Sequence, residues 1–108
     1  MIPVGAEIYV ATEPVDMRFG VERLGGIVHE RMEREPRSKG AFFVFVGKRG
    51  RRLKVLWWDG TGTALLTKVL DASTFELPKA RDAGAKSVVV SEAAFEALFH
   101  GLRTQVVH

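Results

Sequence analysis

The chain has no cysteine among its 108 residues. That absence removes disulfides, thiolate zinc sites and cysteine nucleophiles together, and it fits a reducing compartment. No apolar run reaches the 18 or so residues that a membrane-spanning helix needs. The opening, MIPVGAEIYVATEP, has neither a basic n-region nor a long apolar h-region, so it does not read as a secretory signal. A cytoplasmic protein is the expectation. Histidine is sparse and scattered, at positions 29, 100 and 108, without metal-ligand spacing. No serine has a nucleophile-elbow context. Linkers, internal repeats and low-complexity segments are missing as well, so residues 1–108 read as one domain with a modest core. No metal and no cofactor is expected.

What the chain does have is concentrated in Phe42 to Gly62, FFVFVGKRGRRLKVLWWDGTG. Five of the seven residues from Lys48 to Lys54 are Lys or Arg, and none is acidic. The formal charge of the whole chain is +3, so without those five it would be −2. The positive excess therefore sits in one turn and the strand after it. A pI of about 9.6 points to an anionic partner, nucleic acid first.

Periodicity predicts the elements. Glu7–Thr12 reads as a strand ending at a Glu-Pro turn. Asp16 reads as an N-cap, with a helix from Met17 whose apolar stripe is Met17, Val21, Leu24, Val28 and Met32. Gly25 and Gly26 interrupt it at about 1 kcal/mol each; close packing on a sheet is the favoured reason and a kink the alternative. Pro36 ends the helix. Strands follow at Ala41–Val46 and Arg52–Trp58, with Gly50 supplying a positive φ for a tight hairpin. After the Asp59–Gly62 turn, Thr63–Leu70 fits strand or helix; its threonines and flanking turns favour strand. Phe75–Leu77 reads as a short edge strand, and Lys79–Gly84 as loop. Ser87–Val90 reads as a strand. Ser91 caps a helix over Glu92–His100 with Phe95, Leu98, Phe99 and Leu102 on its apolar side, and Gly101 is its C′ residue. The tail to His108 reads as frayed or as an extra edge strand. The order predicts an α+β fold: a mainly antiparallel sheet of about five strands, a central basic hairpin, and two helices on one face.

Alternation assigns the hairpin's faces. Phe42, Val44 and Val46 fall opposite Trp57, Val55 and Leu53, a wholly apolar face. Phe43, Phe45 and Gly47 fall opposite Leu56, Lys54 and Arg52, with Trp58 at the end. That mixed face could snorkel its cations over a second apolar layer. The lesser alternative is that it offers rings to bases and cations to phosphates. Both readings stand at this level. The nucleic-acid candidates are Lys48, Arg49, Arg51, Arg52, Lys54 and Trp58.

Three blocks are specific in combination: Pro14-Val15-Asp16-Met17-Arg18-Phe19-Gly20, Phe43 to Gly50, and Lys54 to Gly62. With the opening Met1-Ile2-Pro3, they closely resemble the TnpB accessory proteins of the insertion-sequence-66 family of bacterial transposons, the second open-reading-frame products of those elements. The resemblance covers nearly the whole chain. Lys68 and Leu70 match a family Lys-Arg-Leu block, Phe75–Pro78 an aromatic-Pro block, and SEAAFEALFHGL a Leu-rich ending before Gly. Val69 stands where the family usually has Arg, and Leu77 where it usually has Trp. The first departure weakens Lys68 as part of a second cationic contact; the second removes an aromatic from any stacking surface. The resemblance implies a role in transposition beside a larger, DDE-transposase-like protein, and it implies no defined reaction.

A nuclease would need two or three carboxylates converging on Mg²⁺. Asp16, Asp59, Asp71 and Glu92 are the acids to weigh, yet Asp16 has a capping role and Asp59 an Asp-Gly turn. Arg18 reads as a partner for Asp59 or another acid. GKRGRRLK is no phosphate loop, since it lacks the Gly-Lys-Ser/Thr ending. The leading expectation is a non-enzymatic accessory protein that binds transposon-end DNA or the transposase. A protein–protein adaptor using Trp57, Trp58 and Phe43 is the second, and a metal-dependent nuclease the third. A homodimer through an exposed sheet edge is a further option.

Overall fold

A computed structural model describes residues 2–102; the expectation for the tail to His108 falls outside the described residues. The elements are β1 (Glu7–Ala11), α1 (Val21–Glu30), β2 (Ala41–Val46), β3 (Arg52–Trp58), β4 (Thr63–Val69), β5 (Ser87–Val90) and α2 (Glu92–Phe99). They form an α+β fold around one five-stranded sheet in the order β4-β3-β2-β1-β5. Three neighbouring pairs are antiparallel, while β1 and β2 run parallel. A parallel pair needs a crossover, and α1 provides it. β2 is buried at all six residues, as its unbroken apolar run AFFVFV requires for an inner strand covered on both faces.

The hairpin register is the one alternation predicts: Phe42 opposite Trp57, Val44 opposite Val55, Val46 opposite Leu53. Phe75–Leu77 forms no strand. Instead the Phe75 amide donates to the Gly50 carbonyl at 2.7 Å, and its ring is buried with Val46 and Leu53.

The helices do not share one face as expected. α1 lays Leu24 and Val28 on Tyr9, Phe43, Phe45 and Leu56. α2 lays Phe95 on the other face, over Ile8, Val10, Val44 and Val55. The sheet is therefore the middle of three layers. α2 starts as predicted, with Ser91 Oγ accepting from the Ala94 amide at 3.0 Å. Gly101 takes φ 68° after its end, but Leu102 is 61% exposed and off the apolar side.

α1 is shorter than its stripe suggests. Gly20, not Asp16, is its N-cap, without a side-chain cap. The preceding segment is held to the sheet end instead, because the Val15 amide donates to the Val46 carbonyl at 3.0 Å. The helix ends at Glu30 rather than at Pro36, and Glu33 turns the chain with φ 55°. Leu24, Val28 and Met32 are buried, while Val21 is 39% exposed.

Close packing of the two helical glycines is also absent. A Cβ on Gly25 would meet only the Pro36 ring at 3.9 Å, and one on Gly26 nothing within 4 Å. Gly26→Ala is therefore expected to raise stability by about 0.5–1 kcal/mol, read as a higher urea midpoint. A lower midpoint would mean that the missing Cβ matters to a contact at that position.

Candidate nucleic-acid interface

The basic turn is built by short-range bonds at the end of β2 and β3. The Gly47 amide donates to the Arg52 carbonyl at 2.9 Å, and the Gly50 amide to the Gly47 carbonyl at 2.9 Å. Gly50 sits at φ 73°, in the left-handed region that favours glycine. Gly47 lies under Met17: a Cβ there would fall 2.5 Å from Met17 Cγ. One flank of the turn is thus fixed by residues 14–17 and the other by Thr74 and Phe75. A shallow groove of about 190 Å³ runs there, lined by Pro14, Lys48, Arg49, Thr74 and Leu77 among others. The larger cleft, about 370 Å³, lies beside α1 and contains none of the hairpin cations.

The six candidates divide by what their side chains already hold. Lys48, Arg49 and Arg52 are exposed. Among the described residues, the side chains of Arg49 and Arg52 make no hydrogen bond or ion pair, and that of Lys48 makes no hydrogen bond. Arg51 donates through Nη2 to the carbonyls of Leu70 (2.9 Å) and Asp71 (3.2 Å), tying the turn to the segment after β4. Lys54 donates through Nζ to the Phe19 carbonyl at 2.8 Å, locking the segment before α1 onto β3. Trp58 is half-buried at the far end of β3, about 20 Å from the turn at the ordinary strand rise. Lys68 points to the α2 face, where Nζ donates to the Phe99 carbonyl at 2.6 Å and lies 4.0 Å from the Phe99 ring centre.

The mixed face is closed. Phe43, Phe45 and Leu56 are fully buried beneath α1. Bases cannot stack on Phe43 or Phe45, and Phe43 has no surface to offer an interface. What the face resembled from alternation, rings among cations, is a second core with one amine spent on a backbone carbonyl.

The two acids also separate. Asp16 Oδ1 accepts from the Arg18 amide (2.8 Å) and Nε (3.0 Å), while Oδ2 accepts from Nη2 (2.7 Å). The Arg18 side chain is nonetheless 90% exposed. These Arg18 bonds, with a smaller pull from Lys48, hold the Asp16 carboxyl well below its ordinary range. Arg18 pairs with Asp16, not Asp59. Asp59 closes the β3–β4 hairpin: Oδ1 accepts from the Thr61 amide, the Thr61 hydroxyl and the Gly62 amide, which lower its pKa in that order. Asp16 and Asp59 thus sit at opposite ends of β3, about 20 Å apart, so they cannot share one metal ion. No group of three or more His, Asp or Glu among the described residues could hold a metal ion. None of the described helices is long and apolar enough to cross a membrane.

The unbonded cations on a fixed turn can meet a polyanion's phosphates. Comparison with known proteins gives the setting. Two proteins of Sinorhizobium fredii (strain NBRC 101917 / NGR234) are similar to this chain. The uncharacterized protein y4jC is 38% identical over 98 residues, covering 91% of this chain and 80% of its own. The uncharacterized protein y4hO is 38% identical over 104 residues, covering 94% and 87%. No solved structure matches. The family described as IS66 Orf2-like protein, TnpB_IS66, matches residues 6–108. The chain therefore belongs to the IS66 Orf2-like family, the accessory proteins of IS66 insertion elements.

Proposed function

We propose that this protein is a non-enzymatic accessory factor of transposition that assists its element's transposase in the cytoplasm by binding the phosphate backbone of transposon-end DNA through the β2–β3 turn. The observation that supports this most is the exposure of Lys48, Arg49 and Arg52 on a turn braced from both flanks. Arg51, Lys54 and Lys68 are committed to backbone carbonyls and serve the fold. With Phe43 and Phe45 buried and Trp58 at the far end of β3, contact at the turn is with phosphates and carries little sequence preference.

Counterion release gives the test a number. Three cations on duplex phosphates correspond to a log K against log salt slope of about −2.7. Fluorescence anisotropy of a labelled duplex is measured at several salt concentrations for the wild type and for a Lys48→Gln, Arg49→Gln, Arg52→Gln variant. The slope is expected to shrink by nearly that amount in the variant. Equal affinities and equal slopes would remove the turn from DNA binding.

The second reading, an adaptor that meets the transposase without touching DNA, draws on Trp57 and Trp58. Both stay partly open at the sheet end away from the turn, and Trp is a residue type that interfaces favour. Co-purification with the transposase that survives nuclease treatment and is lost in Trp58→Ala would favour this reading over the first.

A further inference from the structure

Strand direction sorts the charges of this molecule to one end. β2 enters the basic turn and β3 leaves it; β4 returns to the same end, and β5 starts there, with Ser87 opposite Ala11. Segments 13–18, 47–54 and 68–86 therefore converge at that end. Together they carry ten Lys or Arg against five Asp or Glu, and the C-terminal end of α2, where Gly101 meets Leu70 and Ser73, adds Glu96. The molecule is electrically polarised along its strands.

The 79–86 loop contributes to this end and is built rather than loose. Thr12 holds it through two donated bonds: its amide donates to the Lys86 carbonyl at 3.0 Å, and its hydroxyl to the Ala85 carbonyl at 2.8 Å. The Ala85 amide donates to the Asp82 carbonyl at 3.0 Å. Lys86 is engaged with Glu13 at 3.0 Å. Lys79 and Arg81 are exposed and, among the described residues, have no hydrogen bond or ion pair. Leu77 lines the same groove as Lys48 and Arg49, so Lys79 lies two residues beyond that groove. Asp82 and Glu76 are the acids nearest in sequence.

We infer that Lys79 and Arg81 form a second phosphate-contacting element beside the basic turn, and that the partner is a duplex lying across the end of the sheet. This rests on the DNA reading above. β5 is two strands from β2, or about 10 Å at ordinary strand spacing. Lys79 and Arg81 lie on the loop that crosses this span, from Phe75 bonded to Gly50 to Lys86 bonded to Thr12, so turn and loop together can meet phosphates on the two sides of a major groove, which is about 12 Å wide. A single strand offers no such pair of rims, and the partly open Trp57 and Trp58 lie at the far end of β3, away from both cationic elements.

The test uses the full chain and a labelled 20-base-pair duplex of arbitrary sequence, titrated by anisotropy at several salt concentrations. A Lys79→Gln, Arg81→Gln variant is compared with the wild type and with the turn variant. The expected result is a salt slope smaller by about 1.8 and an affinity lower by roughly sixtyfold at 0.1 M salt. A Lys79→Arg, Arg81→Lys variant should retain the wild-type slope, which separates lost charge from lost folding. If the loop variant binds like the wild type while the turn variant is weakened, this inference is overturned and the turn reading stands. If the wild type binds no duplex at any salt concentration, the turn reading falls and takes this one with it. A polyglutamate peptide that competes as well as unlabelled duplex at equal charge would overturn the assignment of a duplex.

Discussion

Replacing Phe45 with Ala is expected to lower stability by about 3–5 kcal/mol without changing the DNA affinity of the molecules that remain folded. The ring is fully buried, in a strand with no exposed residue, and it packs with Phe43 and Leu56 under α1. Truncation removes the transfer free energy of the ring and leaves a cavity that a sheet clamped between two helical layers cannot collapse to fill. Domains of this size have only about 5–15 kcal/mol in total, so the variant should unfold at far lower urea. The two measurements together decide where the ring works. A loss below about 1 kcal/mol combined with weakened DNA binding would put Phe45 back on a contact surface.

Gly47→Ala is expected to cost about 1–3 kcal/mol, and Met17→Ala is expected to relieve most of that cost. The new methyl would lie 2.5 Å from Met17 Cγ and 3.4 Å from its sulfur. Cγ is near the root of that side chain, so a swing of its tip does not clear the space. Either the 15–19 segment lifts or the turn moves, and the Val15 bond to the Val46 carbonyl resists the first. A double-mutant cycle in urea measures this directly. Neighbours that clash should show a large coupling, and a purely additive result would show that the two positions do not touch. If the turn is what moves, the variant should also bind duplex more weakly than its folded fraction predicts.

Much of the local structure was legible because local rules carried it. Strict alternation around Gly50 fixed the β2–β3 register, and Ser91 announced α2 through a cap that does form. The threonines in Thr63–Val69 correctly favoured strand. The errors came from contacts distant in sequence. Alternation says which residues share a face but not what covers it, so it is α1, closing over Phe43 and Phe45, that decides for the snorkelling reading. The stripe from Met17 to Met32 extends beyond the helix at both ends because Met17 and Met32 reach the same core from irregular backbone. Asp16 resembled a cap, but the segment around it is pinned to β2 and the carboxylate turns to Arg18.

The candidate interface shows the same division. The density of Lys and Arg from 48 to 54 marked the turn, yet which of them are available depends on acceptors elsewhere in the chain. Lys54 finds the Phe19 carbonyl, Arg51 the Leu70 carbonyl and Lys68 the Phe99 carbonyl. Lys79 and Arg81 gave no local signal, being two cations in a loop. Only the count of strands back and forth brings them beside the turn.

The parallel pairing of β1 with β2 has a consequence for assembly. β2, β3 and β4 form a meander of neighbours in sequence, which closes through short loops at small entropic cost. β1 has its two neighbours at residues 41–46 and 87–90. Its second neighbour does not exist until β5 has been made, so during synthesis β1 must wait with one side open. A ribosome therefore completes the basic turn well before the strand order β4-β3-β2-β1-β5 can be finished, and β5, the last made of these five, closes beside the first.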